Sequence, residues 1–591
     1  LPLNIVNRRR NCYDRGLTAR EVSVMPAQDP SPSVHPELAA HQAAMEKRIY
    51  SIGGRYHMAF AYAVSNCTMI EGDDGVILVD TLTSVESAET VAAAFREITP
   101  KPIKAIIYTH FHADHVSGAK AFVSEDDVAA GKVKIYGHQD LTDHVLRDVG
   151  LIAPVLGRRA LYQFGMRLPI GEDGTLGAGL GPPQRPGTRT FIAPTDTFTG
   201  ILKLEIAGVA LEIHHVPSET EDQCMVWVPE DKVLLSGDAV QGETFPNIYA
   251  LRGTRFRDPM VWADGMETLR GFGPETLIPH HGRPVEGARA VDDVLVNYRD
   301  AIQYLHDQTL RWMNKGMTPD EIKDRVVMPD HLKSHPWLGE YYGSYKHGIP
   351  AVYAGYLGWF DGDPVNLDPL PWVERAERYV AMMGGRDNIL ETAEKALADG
   401  DSRWTADLAT WLVRADLDDT EARTLKARAL RHWGYDQKNT TWRNWALTSA
   451  MELEGTLDMA AAGMVLGSPE QVSGFPLEGV MRIMTVRLMA ENTFDYHRTL
   501  GFQAGDTGEA CALEIRRGIC RFHDAVPDSA DWVLKFDRPT LTEWMFGQIS
   551  VEDALADHRM QLDGGDGAMV TEFLSKFEPF NQADPIAISV R

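Results

Sequence analysis

Tyr108-Thr109-His110-Phe111-His112-Ala113-Asp114-His115 is the stretch on which the reading of this chain turns. The apolar run before it, Ile103 to Tyr108, predicts a buried strand, so the cluster sits where a strand ends and a loop begins. Three histidines and an aspartate fall within six positions. His110 and His112 are two apart and point the same way from an extended backbone. Asp114 and His115 follow where the chain turns and can face a second ion. The pattern reads as two half-sites, and neutral imidazole with carboxylate suits a borderline dication such as zinc. The competing reading is a histidine-rich loop that holds no metal.

Composition limits what such a site can serve. A chain of 591 residues is expected to hold about three or four domains. An apolar share of 44% with 24% charged residues fits a soluble globular protein. The formal charge of −26 argues against nucleic acid or an anionic membrane as partner. An anionic substrate therefore needs a locally positive pocket, which bound dications supply. No uninterrupted apolar run approaches the length of a membrane span, so no integral membrane segment is expected. Leu1 to Arg10 lacks an apolar core, so no targeting peptide is visible, and periplasm and cytoplasm both stay open. Cys12, Cys67, Cys224, Cys511 and Cys520 are too scattered for a disulfide framework and read as small buried hydrophobes.

Residues 1 to about 40 are rich in Arg, Pro and Ser and predict an extended arm. Strand-like runs follow at Met58 to Val64, Thr68 to Glu71 and Gly75 to Asp80, then a helix over Val85 to Ile98. This alternation indicates an α/β layer architecture. Residues 150 to 200 carry a Gly- and Pro-rich insertion, which predicts a substrate-side lid. Strands resume at Leu202 to Ile206, Ala210 to His214, Met225 to Val228 and Val233 to Ser236. Beyond residue 296 the texture turns helical, with paired amphipathic helices over Glu391 to Gly434. From residue 465 a helix, strand-like pieces and a last apolar helix through Phe573, Leu574 and Phe577 predict a small α+β domain.

The spacing T-H-x-H-x-D-H resembles the signature of the metallo-β-lactamase superfamily, which implies an αββα sandwich with two metal ions. That resemblance guides the search for later ligands. In His215-Val216-Pro217-Ser218-Glu219-Thr220-Glu221 the position of the superfamily's third histidine is Glu219, and a carboxylate can ligate zinc. Glu221 competes with it. Gly237-Asp238 follows an apolar strand and resembles the bridging carboxylate. An ordinary turn aspartate is the alternative. In Ile278-Pro279-His280-His281-Gly282 the alignment makes His281 the ligand and His280 its neighbour. The implied set is His110, His112 and Glu219 for one Zn2+, and Asp114, His115 and His281 for a second, with Asp238 shared. Two such ions lower the pKa of water from about 16 toward 7.

Further segments resemble the bacterial zinc-dependent alkylsulfatases: Trp337-Leu338-Gly339-Glu340-Tyr341-Tyr342-Gly343, Ala351 through Gly362, Arg375 through Val380 with Met383-Gly384-Gly385, Thr441-Trp442-Arg443-Asn444, and Arg158 through Tyr162. The resemblance implies a catalytic domain at 1–296, a helical dimerisation domain at 297–455 in a homodimer, and a sterol-carrier-like domain at 465–591. The implied substrate is a small anionic ester with an apolar chain, an alkyl sulfate cleaved to alcohol and inorganic sulfate. Asn247 and Arg252 match the residues that hold the sulfate, an Arg fork fitting its oxygens bidentately, with Tyr162 beside them. Asp114 is expected to serve catalysis as well as ligation. Three departures stand out: Asp238 where the family has Glu, the Pro-Ser-Glu-Thr-Glu context of Glu219, and no histidine over Ala239 to Pro246. Glu243 is the acid group in that interval and the candidate proton donor, with a surface charge as its other reading. Phosphodiesterase chemistry on the same metals, or a lipid-carrier role, are the alternative functions.

Overall fold

The computed structural model describes residues 30–457 and 468–579 together with Ser589. The expected N-terminal arm up to residue 29, and Cys12 with it, lie outside the described residues. Two sheets face each other. The first runs in chain order: β1 (Arg48–Ile52), β2 (Tyr56–Phe60), β3 (Cys67–Glu71), β4 (Val76–Val79), β5 (Ile103–Ile107), β6 (Lys134–His138) and β7 (Asp196–Phe198). Its first four strands pair antiparallel and β4 to β7 pair parallel. The second comprises β8 (Ile201–Ile206), β9 (Val209–His215), β10 (Cys224–Val228), β11 (Val233–Leu235), β12 (Thr276–Ile278) and β13 (Val285–Glu286), again in chain order across the sheet.

Between the sheets lies one apolar layer, with Met58, Ile70, Ile77 and Ile107 from one side and Leu211, Ile213, Val226 and Leu235 from the other. All five residues of β10 are buried, which explains its unbroken apolar run where a half-exposed strand would alternate. At the edge, β8 does alternate: Leu202, Leu204 and Ile206 pack inward between exposed Lys203 and Glu205. The helix Val85–Ile98 covers the outer face of the first sheet through Ala88, Val91, Ala92 and Phe95, at i, i+3, i+4 and i+7. The Ser84 hydroxyl caps it by accepting the Ser87 N–H. The second sheet is covered by Pro259–Gly271 and Ala288–Met313, with Trp262 fully buried beneath them. The result is the expected αββα sandwich.

The expected division at residue 296 falls inside the helix Ala288–Met313. The change of sequence texture there marks the third turn of a helix that belongs to the sandwich, and no linker interrupts its amphipathic face. Farther on, Arg386–Ala398, Ser402–Ala415, Thr420–Tyr435 and Thr440–Leu453 stack as antiparallel neighbours, the last three capped by Asp401, Asp419 and Asn439. Arg443 is fully buried and donates to the carbonyls of Gly174, Glu172 and Ser33, which ties these helices to the insertion after residue 165. A third sheet, β14 (His497–Ala504), β15 (Ala510–Arg516), β16 (Ile519–His523), β17 (Trp532–Phe536) and β18 (Gln561–Asp563), runs in the order β16-β15-β14-β17-β18. With the helices around it, this is the expected α+β unit. Its core is continuous with the outer layer of the first sheet, through Leu477–Met484 packed on Leu141–Leu146. No described helix is long and apolar enough to cross a membrane.

Candidate metal centre

Every candidate ligand stands just past the end of a strand, on the same edge of the sandwich. Chain geometry explains the first cluster. After β5 the backbone N–H and hydroxyl of Thr109 both donate to Asp80, at 2.8 Å each, which anchors the loop. His110 and His112 follow, and the short helix Ala113–Val116 then carries Asp114 and His115. Asp80 stands just past β4 in the left-handed region, at φ 61°, a strained position that its buried contacts hold. Its Oδ2, which accepts from the Thr109 hydroxyl, also lies 2.6 Å from His115 Nδ1, which leaves His115 Nε2 facing the cluster. Thr109 Oγ1 lies 3.0 Å from His110 Nδ1, and the Val64 carbonyl 2.8 Å from His281 Nδ1, so those rings are oriented the same way.

Two groups of side chains converge, each with its ligand atoms within 4.8 Å of one another: His110, His112, Glu219 and Asp238, and Asp114, His115 and His281. In the first, His110 Nε2 lies 2.9 Å from His112 Nδ1 and 3.7 Å from Glu219 Oε2. In the second, Asp114 Oδ2 lies 3.5 Å from His115 Nε2 and 3.6 Å from His281 Nε2. Asp238 touches both. Its Oδ1 is 3.5 Å from His115 Nε2, and its Oδ2 is 3.1 Å from His281 Nε2 and 3.9 Å from His110 Nε2.

The electrostatics suit cations. Burial pushes His110 down to about 4, with the His115 ring adding to it. Burial, then the Arg252 and Arg257 cations, push His112 down to about 3. Both rings are thus neutral, the ligating form. Burial raises Asp238, but the adjacent His281 and His115 rings outweigh it and hold its carboxyl well below the usual carboxylate range. His115 and His281 are raised despite burial, because Asp238 and Asp114 draw positive charge onto them. A dication would bring that charge itself. The fit also shows in orphaned atoms: His115 Nε2, Glu219 Oε2 and Asp238 Oδ1 are buried, face the centre, and have no hydrogen-bond partner among the described residues. Left so, each would cost about 1–3 kcal/mol. The donor set therefore fits a metal pair.

The alternatives left open by the sequence separate cleanly in space. Glu221 lies at the surface with Arg255, 2.7 Å away, while Glu219 is in the cluster. His280 is buried toward Asp80, at 3.7 Å, and His281 faces the ligands. Arg252 lies on the wall of a cavity of about 380 Å³ that opens onto His112, Asp114, Glu219, Asp238 and His281. Its backbone N–H donates to Gln163 Oε1 at 2.6 Å, and its guanidinium lies 3.8 Å from Asp148. Asn247 is buried behind that wall. Trp442 Nε1–H donates to His347 Nδ1 at 2.9 Å, so His347 Nε2–H donates to the Asn247 side-chain oxygen, at 3.1 Å. Two residues stand away from the cavity. Tyr162 donates to Glu452 at 2.6 Å, joining sandwich to helices, and Glu243 accepts from Arg283 at 2.6 Å.

Sequence reading passed over two residues that matter here. Asp80 stands just after an apolar strand, as Asp238 does, and that position is its signal in the sequence. Arg257 gave none. It is buried, pairs with Glu219 Oε1 at 2.7 Å and donates to the Asn247 carbonyl at 2.6 Å. The insertion after Gly165, expected to lie on the substrate side, lines the cavity there. Leu180, Pro186 and Gly187 form part of its wall, and Gly181 packs against the Val64 carbonyl with no room for a side chain.

Comparison with known proteins agrees with this architecture. The model of the metallo-β-lactamase superfamily matches residues 63–281, that of alkyl sulfatase dimerisation residues 318–456, and that of the alkyl sulfatase C-terminal domain residues 465–586. A linear primary-alkylsulfatase of Pseudomonas sp. (strain ATCC 19151) is 44% identical over 531 residues, which cover 88% of this chain and 100% of that one. An (R)-specific secondary-alkylsulfatase of Pseudomonas sp. is 32% identical, over 94% of this chain and 86% of that one. The solved structure of a stereoselective inverting sec-alkylsulfatase, Pisa1 from Pseudomonas sp., superposes with a TM-score of 0.88 at 31% identity, covering 95% and 89%. The chain belongs to the alkylsulfatase family of the metallo-β-lactamase superfamily.

Proposed function

We propose that this protein hydrolyses alkyl sulfates to the alcohol and inorganic sulfate at a centre of two zinc ions. The observation that carries the reading is Asp238 in reach of both ligand groups, with Arg252 on the wall of the cavity they face. His110, His112 and Glu219 would hold one ion and Asp114, His115 and His281 the other, with Asp238 shared. When bound, two such dications make hydroxide available at neutral pH and offset negative charge on the ester. The Arg252 guanidinium takes the sulfate oxygens, where a planar fork matches two of them at once. Asn247 serves through position: tied to His347 and Arg257, it holds the segment that leads to Arg252. Phe111, Val145, Val149, Leu156, Leu161 and Phe164 line the same cavity and receive the alkyl chain, at about 0.8 kcal/mol for each methylene buried. They also keep bulk water from the ester.

A panel of alkyl sulfates and phosphodiesters, scored by released sulfate or phosphate, tests the reading. Sulfate release alone is expected. Dominant phosphate release would transfer the site to phosphodiesters, and a chain that purifies with less than about one zinc would favour a carrier. Asp80→Asn is expected to weaken zinc binding by about 10–100-fold, because it loosens His115 and the Thr109 anchor together. Chelator competition measures this, and unchanged affinity would remove Asp80 from the site. A homodimer belongs to the same proposal. It is supported by the dimerisation match and by the exposed apolar side chains of Leu357, Trp359, Val365, Leu367 and Met382. Light scattering at twice the chain mass is the expected result.

A further inference from the structure

Part of the cavity wall comes from two segments far apart in sequence, Gln184–Arg189 in the insertion and Ser468–Gln471 at the start of the C-terminal unit. They are clamped together. The Ser468 hydroxyl donates to the Arg189 carbonyl at 2.5 Å and accepts the Gln471 N–H at 3.2 Å. Three positions after Gln471, Gly474 packs on the Phe191 carbonyl with no space for a side chain. The backbone that carries Arg189 and Gln471 is therefore held in place, yet the polar ends of these two side chains are not used.

Arg189 is largely buried, and among the described residues its guanidinium has neither an ion pair nor a hydrogen bond. Gln471 is 1% exposed, and neither its amide oxygen nor its amide nitrogen has a partner among the described residues. The other cations nearby are balanced differently: Arg257 by Glu219 at 2.7 Å, and Arg252 by Asp148 at 3.8 Å. Burial pulls Arg189 below the ordinary arginine value, with Asp114 opposing this and Arg252 adding to it, so Arg189 stands within electrostatic reach of the centre. A guanidinium and an amide left unmatched beside an apolar cavity are costly. Their matched partner is an oxyanion, which can accept two N–H bonds from the arginine and one from the amide.

We infer that Arg189 and Gln471 form a second oxyanion subsite in this cavity, distinct from Arg252, for a carboxylate or sulfate group. The inference rests on the alkylsulfatase reading above. Two sources share that chemistry: a second acidic group carried on the substrate's chain, and inorganic sulfate released by the reaction. The C-terminal unit then contributes a specificity-determining side chain to the centre, beyond packing against the sandwich.

The test compares a linear alkyl sulfate with the same ester carrying a terminal carboxylate, in the zinc-loaded wild type, Arg189→Gln and Gln471→Leu. The expected result in Arg189→Gln is a fall of about tenfold or more in the ratio of kcat/KM for the carboxylated over the plain ester, through KM. Gln471→Leu, which removes no charge and keeps the side chain's size, is expected to lower that ratio by about threefold. If the ligand is released sulfate, the ratio holds and inhibition by added inorganic sulfate weakens by about tenfold in Arg189→Gln. A ratio and a sulfate inhibition that both stay at wild-type values overturn the subsite. So does an equal loss on the two esters, which would place Arg189 on the same sulfate as Arg252. Calorimetry with a non-hydrolysable alkylsulfonate, with and without the terminal carboxylate and with inorganic sulfate, reads the subsite without turnover. Should neither ester be hydrolysed by wild type, the functional reading fails, while calorimetry still decides whether Arg189 and Gln471 bind an oxyanion.

Discussion

Replacing Asp238 with alanine is expected to lower turnover of alkyl sulfates by at least about 10³-fold, roughly 4 kcal/mol of transition-state stabilisation. Bound zinc should fall below two per chain in the same variant. The reason lies in what one carboxylate does here. Its two oxygens lie 3.5 Å from His115 Nε2, 3.1 Å from His281 Nε2 and 3.9 Å from His110 Nε2, so both ligand groups lose an anion at once. Asp238→Asn keeps the shape but not the charge and should resemble alanine in metal content. Asp238→Glu keeps the charge with one more methylene, and is expected to retain more zinc than either. Elemental analysis after dialysis, beside steady-state rates, measures all three. An alanine variant with two zinc ions and wild-type turnover would show that Asp238 is a turn residue and nothing more.

Arg252→Ala is expected to cost about 10²–10³-fold in kcat/KM for alkyl sulfates, roughly 3–4 kcal/mol, with zinc content unchanged. The guanidinium has Asp148 at 3.8 Å and the Gly253 carbonyl at 3.3 Å on one side, which leaves the fork free toward the cavity. Lysine restores the charge without the fork and should recover only part of the loss. Backbone collapse is guarded against, because Gln163 holds the Arg252 N–H and Arg159 donates to the carbonyls of Leu251 and Arg252 whatever the side chain. Normal kinetics in the alanine variant would remove Arg252 from anion binding.

Much of the centre could be read before any coordinates, because its first ligands are neighbours in the chain. His110, His112, Asp114 and His115 lie on one strand-to-helix turn, and backbone periodicity alone puts them on one edge. The later ligands could be found for a related reason. Asp238 and His281 each follow a short apolar strand and Glu219 the longer β9, and β9, β11 and β12 run the same way, so all three end on one edge. Boundaries were less legible. Lys134–His138 and Asp196–Phe198 went unnoticed as strands, the first for its polar ends and the second because it is short and half-buried. Tyr162 rests on family likeness and Glu243 on being the acid group between Ala239 and Pro246; in space the Tyr162 hydroxyl donates to Glu452 and Glu243 Oε1 accepts from Arg283.

What the sequence determined unaided was the α/β layering, the helical and α+β units that follow it, and the first ligand cluster from His110 to His115. These depend on local periodicity and on apolar runs, which are properties of contiguous chain. Only the tertiary structure decided that Glu219 and not Glu221 joins the cluster, that Arg257 secures it, and that Arg189 and Gln471 share one wall. Those outcomes depend on which side chains meet after distant segments pack, and on whether each buried polar atom finds a partner there. Neither quantity is encoded in spacing along the chain.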